Sequence, residues 1–349
     1  MRKACVSGLA MLAAAMFSAP QARADAVEDF YRGKTIKITV GASVGGGYDL
    51  VGRTVAEHYG RHIPGNPRIV VENIPAASGL VMGNALYNTA PRDGTVMGLP
   101  TNAFPLEPRL KLLSRAGGTA TFDIDKFIWV GNAARQPQAL FVWHDAPVKS
   151  IADLSAKPSI MGAISVGADS YTLPVVLNAV LSAKMKIVPG YAGIGETLLA
   201  MERGELHGHS AGLANILSAK PDWIKDKKLR VLAQFGLSRQ PELPDVPTGD
   251  ELVDNELDKE MLRFFALKYE LAYAFILPPG VPADRVEALR KAFDETMQDP
   301  AYLEMATRLA LPRNSLTSGE VVAIIEKIRN TPEPVVARML GILDANISK

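Results

Sequence analysis

The hydrophobic pattern of the first interpretable segment predicts a strand, a glycine-rich loop and a helix. Residues 35–40 alternate between apolar and polar side chains and are rich in β-branched residues, which is typical of a strand. From Leu50 to Tyr59, apolar residues recur near helical spacing, so a helix is predicted to begin near Asp49. The loop between these elements, residues 41–48, contains three consecutive glycines.

The same order of elements continues after this unit. Residues 68–72 and 94–99 are predicted strands, with a helix over residues 80–89 between them. A βαβαβ order predicts a parallel sheet with right-handed crossovers. Ligands in such sheets bind outside the carboxyl ends of the strands. We therefore expect the loops at 41–48, 74–79 and 100–104 to converge.

A second α/β block repeats this arrangement in the middle of the chain. Its predicted strands at residues 159–166, 186–188 and 205–210 each end at a small-residue loop that starts a helix. These loops lie at 167–172, 189–194 and 210–213. Two blocks whose loops face each other would enclose a cleft.

Two further segments have their own pattern. Residues 104–125 contain Gly117 and Gly118 and are predicted to form a surface excursion. Residues 318–345 are predicted to be helical, and Pro332 and Pro334 are expected to break or kink that helix.

The glycine stretch at 45–47 favours an anion site. The first turn of a helix has four unsatisfied N–H donors, and the helix dipole favours negative charge there. A carboxylate or a phosphate is the simplest ligand, and a strand–helix turn without a ligand is the structural alternative. The loop does not match the known nucleotide-binding motifs. Leu50 stands where G-x-G-x-x-G needs a small residue, and Gly47 stands where a P-loop needs lysine.

The N terminus has the features of a secretory signal peptide. Arg2 and Lys3 precede an apolar core at residues 6–17, and Ala22-Arg-Ala24 is an A-x-A cleavage site. Cleavage after residue 24 leaves 325 residues, which suits two domains, and removes Cys5, the only cysteine. The remaining 35 basic and 37 acidic side chains give a net charge of −2, which argues against a nucleic-acid partner. These features indicate an exported protein of the bacterial periplasm.

One motif suggests an enzyme. Residues 208–212 form G-x-S-x-G, which presents a nucleophilic serine in α/β hydrolases, here Ser210. The preceding residues 201–207 are mostly polar, although a buried strand is needed there, and no histidine follows His209 as the hydrolase order requires. We therefore expect no catalytic residue and keep the serine hydrolase as the weaker alternative.

The histidines are predicted to be structural. His58 and His62 have metal-ligand spacing, but no third ligand is placed to complete a site, so a solvated helix face is predicted. His207 and His209 alternate on a strand, and structural placement is again expected. Neither a metal nor a cofactor is predicted.

The residues around the glycine stretch suggest two further roles. Asp49 is predicted to cap the helix or stand in its first turn, and Arg53 to pair with it across one turn. Tyr48, Tyr171 and Tyr191 each occupy a loop at the predicted cleft. Three tyrosines on facing loops suggest a partly aromatic ligand pocket.

Motifs along nearly the whole chain resemble the periplasmic solute-binding receptors of tripartite tricarboxylate transporters, also called Bug-type receptors. In chain order they are Ile36-Lys-Ile-Thr-Val40, Gly45-Gly-Gly-Tyr-Asp49 with Arg53, Val70-Val-Glu-Asn73, Ala77-Ser-Gly79, Ala90-Pro-Arg-Asp-Gly-Thr95, Val188-Pro-Gly-Tyr-Ala-Gly193, Gly204-Glu-Leu-His-Gly208, Leu229-Arg-Val-Leu-Ala233, Leu243-Pro-Asp-Val-Pro-Thr248 and Leu277-Pro-Pro-Gly-Val-Pro282. Each motif is weak alone, and the ordered set is fairly specific.

The resemblance implies an α/β fold of the type II-like periplasmic binding kind, a clamshell in which each lobe is a mostly parallel sheet flanked by helices. Lobe one would comprise residues 25–136 and 236–349, and lobe two residues 137–235. A small carboxylate would be held mainly by backbone N–H groups and water. The predicted ligand-binding residues, which include the three tyrosines named above, are Gly45, Gly46, Gly47, Tyr48, Ala77, Ser78, Gly79, Thr101, Asp169, Ser170, Tyr171, Gly190, Tyr191 and Gly193.

The resemblance also implies a function and partners. The protein would capture a small organic anion between its lobes and deliver it to a large and a small membrane subunit of the transporter, and we expect a monomer. A ligand sensor for a membrane signalling protein is the alternative. The loop at 166–171 has less serine and glycine than is typical of the family, and it places Asp169 where a second ligand carboxylate would lie. A monocarboxylate with an amide, amino or aromatic portion is therefore as plausible as a dicarboxylate.

Overall fold

The computed structural model describes residues 26–347, and the predicted signal peptide lies outside them. The strands are β1 (Thr35–Val40), β2 (Arg68–Asn73), β3 (Val96–Leu99), β4 (Ile128–Asn132), β5 (Gln138–Trp143), β6 (Ser159–Gly162), β7 (Met185–Val188), β8 (Gly208–Gly212), β9 (Leu229–Phe235), β10 (Ala274–Leu277) and β11 (Leu316–Thr317). The α-helices are α1 (26–31), α2 (Gly47–Tyr59), α3 (Leu80–Asn88), α4 (Glu107–Leu110), α5 (Ile151–Ala156), α6 (Asp169–Leu181), α7 (Ile194–Glu202), α8 (Leu213–Ala219), α9 (Asp222–Lys225), α10 (Glu256–Glu270), α11 (Ala283–Gln298), α12 (Pro300–Arg308), α13 (Ser318–Arg329) and α14 (Glu333–Ile347).

The first sheet has six strands in the order β11-β4-β10-β3-β1-β2. β1 pairs in parallel with both β2 and β3, so the predicted βαβαβ block at the start of the chain is present. β10 runs antiparallel between β3 and β4, and β11 runs antiparallel to β4. The parallel half of this sheet therefore carries the glycine-rich loop.

The second sheet has five strands in the order β7-β6-β8-β5-β9. β6 pairs in parallel with β7 and β8, whereas β5 runs antiparallel to β8 and β9. The parallel strands of this sheet again end at the loops that start helices.

The α/β class with two helix-flanked sheets is confirmed, and strand direction adds a refinement. Both sheets are mixed, because β5 and β10 run against their neighbours. Each is the first strand after the chain passes from one sheet to the other, so it enters its sheet from the opposite end. All strands of the second sheet lie between residues 138 and 235. The lobe boundaries at 136/137 and 235/236 stay a prediction.

The first sheet is held by the apolar face of β1. Ile36, Ile38 and Val40 are fully buried and pack in one cluster with Val51 and Val55 of α2. Fully burying a side chain of this size contributes about 1.5–3 kcal/mol. The period-two pattern of the strand and the helical period of α2 therefore meet in the same core, which fixes where the loop between them lies.

Residues 104–125 differ from their prediction as a surface excursion. Phe104, Leu106 and Leu110 are fully buried, and Phe104 stacks on Phe122 with ring centroids 4.7 Å apart. The buried Glu107 carboxylate accepts the Leu113 N–H at 2.6 Å and so satisfies the turn that follows α4. The elements here are only a few residues long, so their hydrophobic pattern completes no recognisable period.

The C-terminal helices connect the two sheets. α10 packs on α14, and α14 packs on α6, which flanks the second sheet. The break that Pro332 predicts is observed, because α13 ends at Arg329 and α14 begins at Glu333. No helix within residues 26–347 is long and apolar enough to cross a membrane.

Candidate ligand-binding site between the two sheets

The loops that follow β1, β2 and β3 converge at one edge of the six-stranded sheet. Asn73 Nδ2 donates to the Ala42 carbonyl at 2.9 Å, which ties the second loop to the first. Thr101 Oγ1 donates to the Ser78 carbonyl at 3.0 Å, which ties the third loop to the second. The expected convergence is therefore observed, and we call this edge, residues 41–48, 73–79 and 100–102, the first rim.

Gly79 lets the first and second loops pack backbone against backbone. Its φ is +92°, and a Cβ at this position would lie 2.9 Å from Gly41 O. Ala77 and Ser78 precede it with φ values of 50° and 55°, so three consecutive residues are left-handed. Left-handed backbone costs a non-glycine residue about 1–2 kcal/mol, and such strain concentrates at ligand-binding loops.

Asp49 shapes the glycine loop from within. It lies in the first turn of α2, where its Oδ2 accepts the Gly45 N–H at 2.9 Å and its Oδ1 lies 2.9 Å from Arg53 Nε. Burial by itself would raise the pKa of Asp49, but the hydrogen bonds from Arg53 and Gly45 outweigh it and hold that pKa below its usual value. The predicted first-turn role of Asp49 and its pair with Arg53 are both observed.

The helices that start at the first rim, and those that follow the parallel strands of the second sheet, have no side-chain cap. Their N-cap residues are Gly46 for α2, Gly79 for α3, Ala168 for α6, Gly193 for α7 and Gly212 for α8. Away from the rims, Ser150, Asn255, Asp299 and Thr317 cap α5, α10, α12 and α13 through their side chains. Of the long helices elsewhere, α11 begins uncapped after Pro282. First-turn N–H groups of the helices that follow these loops therefore remain available to an anion.

Two loops of the five-stranded sheet also lie together. The Gly190 N–H donates to Ile164 O at 3.2 Å, and the Ile164 N–H donates to the buried Ser170 Oγ at 3.1 Å. Gly190 has a φ of +112°, whereas Gly193 has ordinary extended backbone. We call residues 163–170 and 189–193 the second rim.

Asp169 joins the two rims. One of its carboxylate oxygens accepts Asn102 Nδ2 at 2.8 Å, and the other pairs with the Lys268 ammonium from the end of α10. The Asn102 N–H in turn donates to Tyr48 Oη at 2.8 Å. The structure therefore connects Tyr48 of the first rim to Asp169 of the second through one bridging residue.

The three tyrosines predicted to line a pocket have different surroundings. Tyr48 is half-buried and packs on Tyr273, with ring centroids 5.1 Å apart. Burial, followed by its neighbour Tyr273, raises the pKa of Tyr48 well above its usual value. Tyr171 packs against a large hydrophobic cluster with residues of both sheets, and Tyr191 packs against a smaller cluster around β5 and α7. Within residues 26–347, no ring contact joins Tyr48 to either of them.

Four residues in or beside the rims were not predicted: Asn102, Lys268, Tyr269 and Tyr273. Three of them belong to the end of α10 and the turn after it, where every residue from Phe264 to Tyr273 is buried. A lysine in a stretch that is apolar apart from Glu270 is the signal that could have found this part of the site, because buried lysine is rare unless it is paired.

The hydrolase alternative lacks its required geometry. Ser210 lies in the middle of β8, where it pairs with Leu140 of β5, and not at a sharp strand-to-helix turn. Its hydroxyl donates to the Asp169 carbonyl at 3.4 Å. The G-x-S-x-G motif is therefore a strand of small residues beside the second rim.

The histidines are placed by packing. His207 Nδ1 accepts the Ile160 N–H at 3.0 Å, and His209 Nδ1–H donates to Gly162 O at 2.8 Å, as the structural interpretation predicts. The prediction of a solvated face is wrong for His58, which is buried because α12 covers that face of α2. Among residues 26–347, no three His, Cys, Asp or Glu side chains could hold a metal ion together.

His209 predicts acid sensitivity of the fold. Burial lowers the pKa of His209 to about 4, although the bond to the Gly162 carbonyl opposes this shift. Below pH 6.5 the unfolded chain therefore binds a proton that the native state does not bind. Between pH 7.5 and pH 5 this difference lowers the free energy of unfolding by about 2 kcal/mol. Urea unfolding at both pH values should show this loss in the wild type and a smaller one in His209→Asn. An equal loss of stability in the two proteins would contradict the conclusion that the buried His209 makes the fold sensitive to acid.

Two helix-flanked mixed sheets are the architecture that this chain shares with two-lobed periplasmic binding proteins. The model of the tripartite tricarboxylate transporter family receptor matches residues 51–338, so the chain belongs to this family. The resemblance seen in the sequence motifs is thereby confirmed.

Individual relatives are distant but nearly full-length. The UPF0065 protein in the gbd 5′ region of Cupriavidus necator is 27% identical, and the alignment covers 92% of this chain and 95% of that protein. A Polaromonas TctC solute-binding protein is 19% identical, with a TM-score of 0.65, and the match covers 90% of this chain and 99% of that one. An R. palustris protein solved with adipate is 20% identical, with a TM-score of 0.62, and the match covers 89% and 96% of the two chains.

Proposed function

We propose that this protein is a periplasmic solute-binding receptor that captures a small organic carboxylate between its two rims and delivers it to a tripartite-type membrane transporter. The observation that carries the proposal is the series of rim helices without side-chain caps, beside strained loops in close backbone contact. Preorganised N–H donors of this kind favour an anion and need no lysine or arginine in direct contact.

The carboxylate would lie at the first rim. There the exposed Gly45–Gly47 stretch leaves the first-turn N–H groups of α2 open to a ligand. Ala77, Ser78, Gly79 and Thr101 form the adjoining wall, because the second and third loops are bonded to each other. The chain belongs to a receptor family, and one of its own structural neighbours was solved with adipate. Both findings support an organic acid as the ligand.

The second rim would close over the bound acid. Closure excludes water, and hydrogen bonds from N–H groups to a carboxylate strengthen as the local dielectric falls. A change in the angle between the lobes lets a membrane partner distinguish the loaded receptor from the empty one. In this proposal the partners are one large and one small membrane subunit, and the receptor acts as a monomer.

A thermal-shift screen of mono- and dicarboxylates tests the proposed function. A ligand that binds only the native state at one hundred times its Kd stabilises that state by about 2.7 kcal/mol, so at least one acid should raise the Tm measurably. Matched neutral amides and alcohols serve as controls and should raise it less. If no carboxylate raises the Tm, organic-acid capture is wrong.

A further inference from the structure

The cluster around Asp169 extends the ligand site across both rims. Lys268 is 2% exposed and Asp169 is 18% exposed, although the two form one ion pair. The Lys268 ammonium lies 3.7 Å from the Phe265 ring centroid and 5.1 Å from that of Tyr269. The cation is thus covered by aromatic rings, and the accessible side of the pair is the carboxylate.

The partly exposed Asp169 carboxylate keeps acceptor capacity. An ionised carboxylate offers about four acceptor positions, and Asn102 and Lys268 occupy one on each oxygen. Asp169 opens α6, and Ala168 before it supplies no side-chain cap. The first side chain of α6 is therefore an acceptor that Asn102 and Lys268 hold in place.

Tyr269 provides an independent observation at the same place. Its side chain is fully buried, and within residues 26–347 its hydroxyl has no hydrogen-bond partner. Burial, and then the nearby Asp169 carboxylate, hold the pKa of Tyr269 well above its usual value, so this hydroxyl keeps its proton. A buried hydroxyl without a partner is costly, so the protein's own side chains leave the polar cluster around Asp169 incomplete at Tyr269.

We propose that Asp169, held by Lys268 and Asn102, is a specificity-determining residue that selects monocarboxylates whose far end carries a hydrogen-bond donor. The inference rests on the proposed function, because it assumes one carboxylate at the first rim. The far end of the ligand then meets the accessible oxygens of Asp169. An amide, ammonium or hydroxyl donates to them, whereas a second carboxylate has no proton to donate and would lie against the carboxylate side of the ion pair, because aromatic rings cover the Lys268 ammonium.

Lys268 has a positioning role in this scheme. Burial lowers the pKa of Lys268, and the Asp169 charge opposes that shift. Nζ holds one oxygen of the Asp169 carboxylate and leaves other acceptor positions of that carboxylate without a protein partner. Asn102 fixes the other oxygen and is itself bonded to Tyr48, so the acceptor is oriented from the rim that binds the first carboxylate.

Calorimetry with isosteric ligand pairs tests this inference. Succinate, adipate and terephthalate are each compared with their monoamides, so that length and shape stay constant while one carboxylate becomes a neutral donor. The wild type should bind the monoamide of the best-fitting length about 10- to 100-fold more tightly than the diacid. Asp169→Asn should reduce that ratio to about threefold or less, because an amide donates to a carboxylate.

A second variant guards against misfolding of the first. Asp169→Asn alone leaves a buried lysine without its partner, so Asp169→Asn with Lys268→Met removes both charges at nearly constant volume. It should lose the monoamide preference in the same way. A wild type that binds diacids as tightly as monoamides, or variants that keep the preference, would overturn the inference. If no acid or monoamide binds the wild type at all, organic-acid capture itself fails, which is a distinguishable result.

Discussion

Gly46→Asp is expected to abolish carboxylate binding while the fold stays intact. Gly46 is the N-cap of α2 and has a φ of −83°, which any residue adopts, and a Cβ there would meet only Ser43 O at 3.5 Å. An aspartate at this position accepts the first-turn N–H groups of α2 with its own carboxylate. It therefore occupies the donors that the ligand needs and adds like charge beside it.

The expected changes in stability and in ligand affinity follow from helix capping and from charge. Replacing glycine by aspartate at an N-cap stabilises a helix by a few tenths of a kcal/mol, so the urea midpoint should stay the same or rise slightly. The affinity for the best acid should fall at least about 100-fold, which corresponds to about 2.7 kcal/mol. Calorimetry measures the affinity and urea unfolding the stability.

Gly46→Ala is the matched control for bulk. It adds a Cβ in the same place without a carboxylate, so its loss of affinity should stay below about tenfold. If Gly46→Asp binds the acid with wild-type affinity, the N terminus of α2 is not the site. If the alanine variant loses as much as the aspartate variant, bulk and not charge excludes the ligand.

Gly79→Ala is expected to weaken both the fold and the site. The new Cβ would lie 2.9 Å from Gly41 O and 3.2 Å from Gly41 Cα, and both are backbone atoms that cannot rotate away. The left-handed φ of +92° adds strain for any residue with a Cβ. The clash and the strain together should cost about 2–4 kcal/mol and push the second loop away from the first.

Gly33→Ala separates strain from clash. Gly33 has a similar positive φ of +72°, but a Cβ there would meet nothing within 4 Å, and it lies outside both rims. This control should therefore cost only about 1 kcal/mol, from the backbone conformation. Urea unfolding of the two variants gives the difference. Equal stability, with unchanged carboxylate affinity in Gly79→Ala, would contradict the tight packing of the first rim.

The features that the sequence predicted are those encoded locally. The β-branched residues 35–40, the glycine stretch and the following apolar spacing each act over one or two elements, so β1, the first rim and α2 could be recognised without tertiary information. The parallel connection between β1, β2 and β3 then follows from element order, and the convergence of their loops follows from that connection.

The features that could not be predicted depend on residues far apart in the chain. Asp169 and Lys268 are 99 positions apart, and nothing local to either one indicates that α10 ends beside α6. His58 lies seven positions after Val51 and three after Val55, on the buried face of α2, and no local pattern indicates that α12 packs over it. The short elements at residues 104–125 carry too few turns to show a period, so their burial depends on the core they complete.

The most direct test of the account is a crystal structure of the protein with the tightest-binding acid from the thermal-shift screen. The account predicts one ligand carboxylate at the first rim, with its oxygens about 3 Å from first-turn N–H groups of α2, and the second rim closed over it. A carboxylate bound elsewhere, with these N–H groups untouched by the ligand, would contradict it.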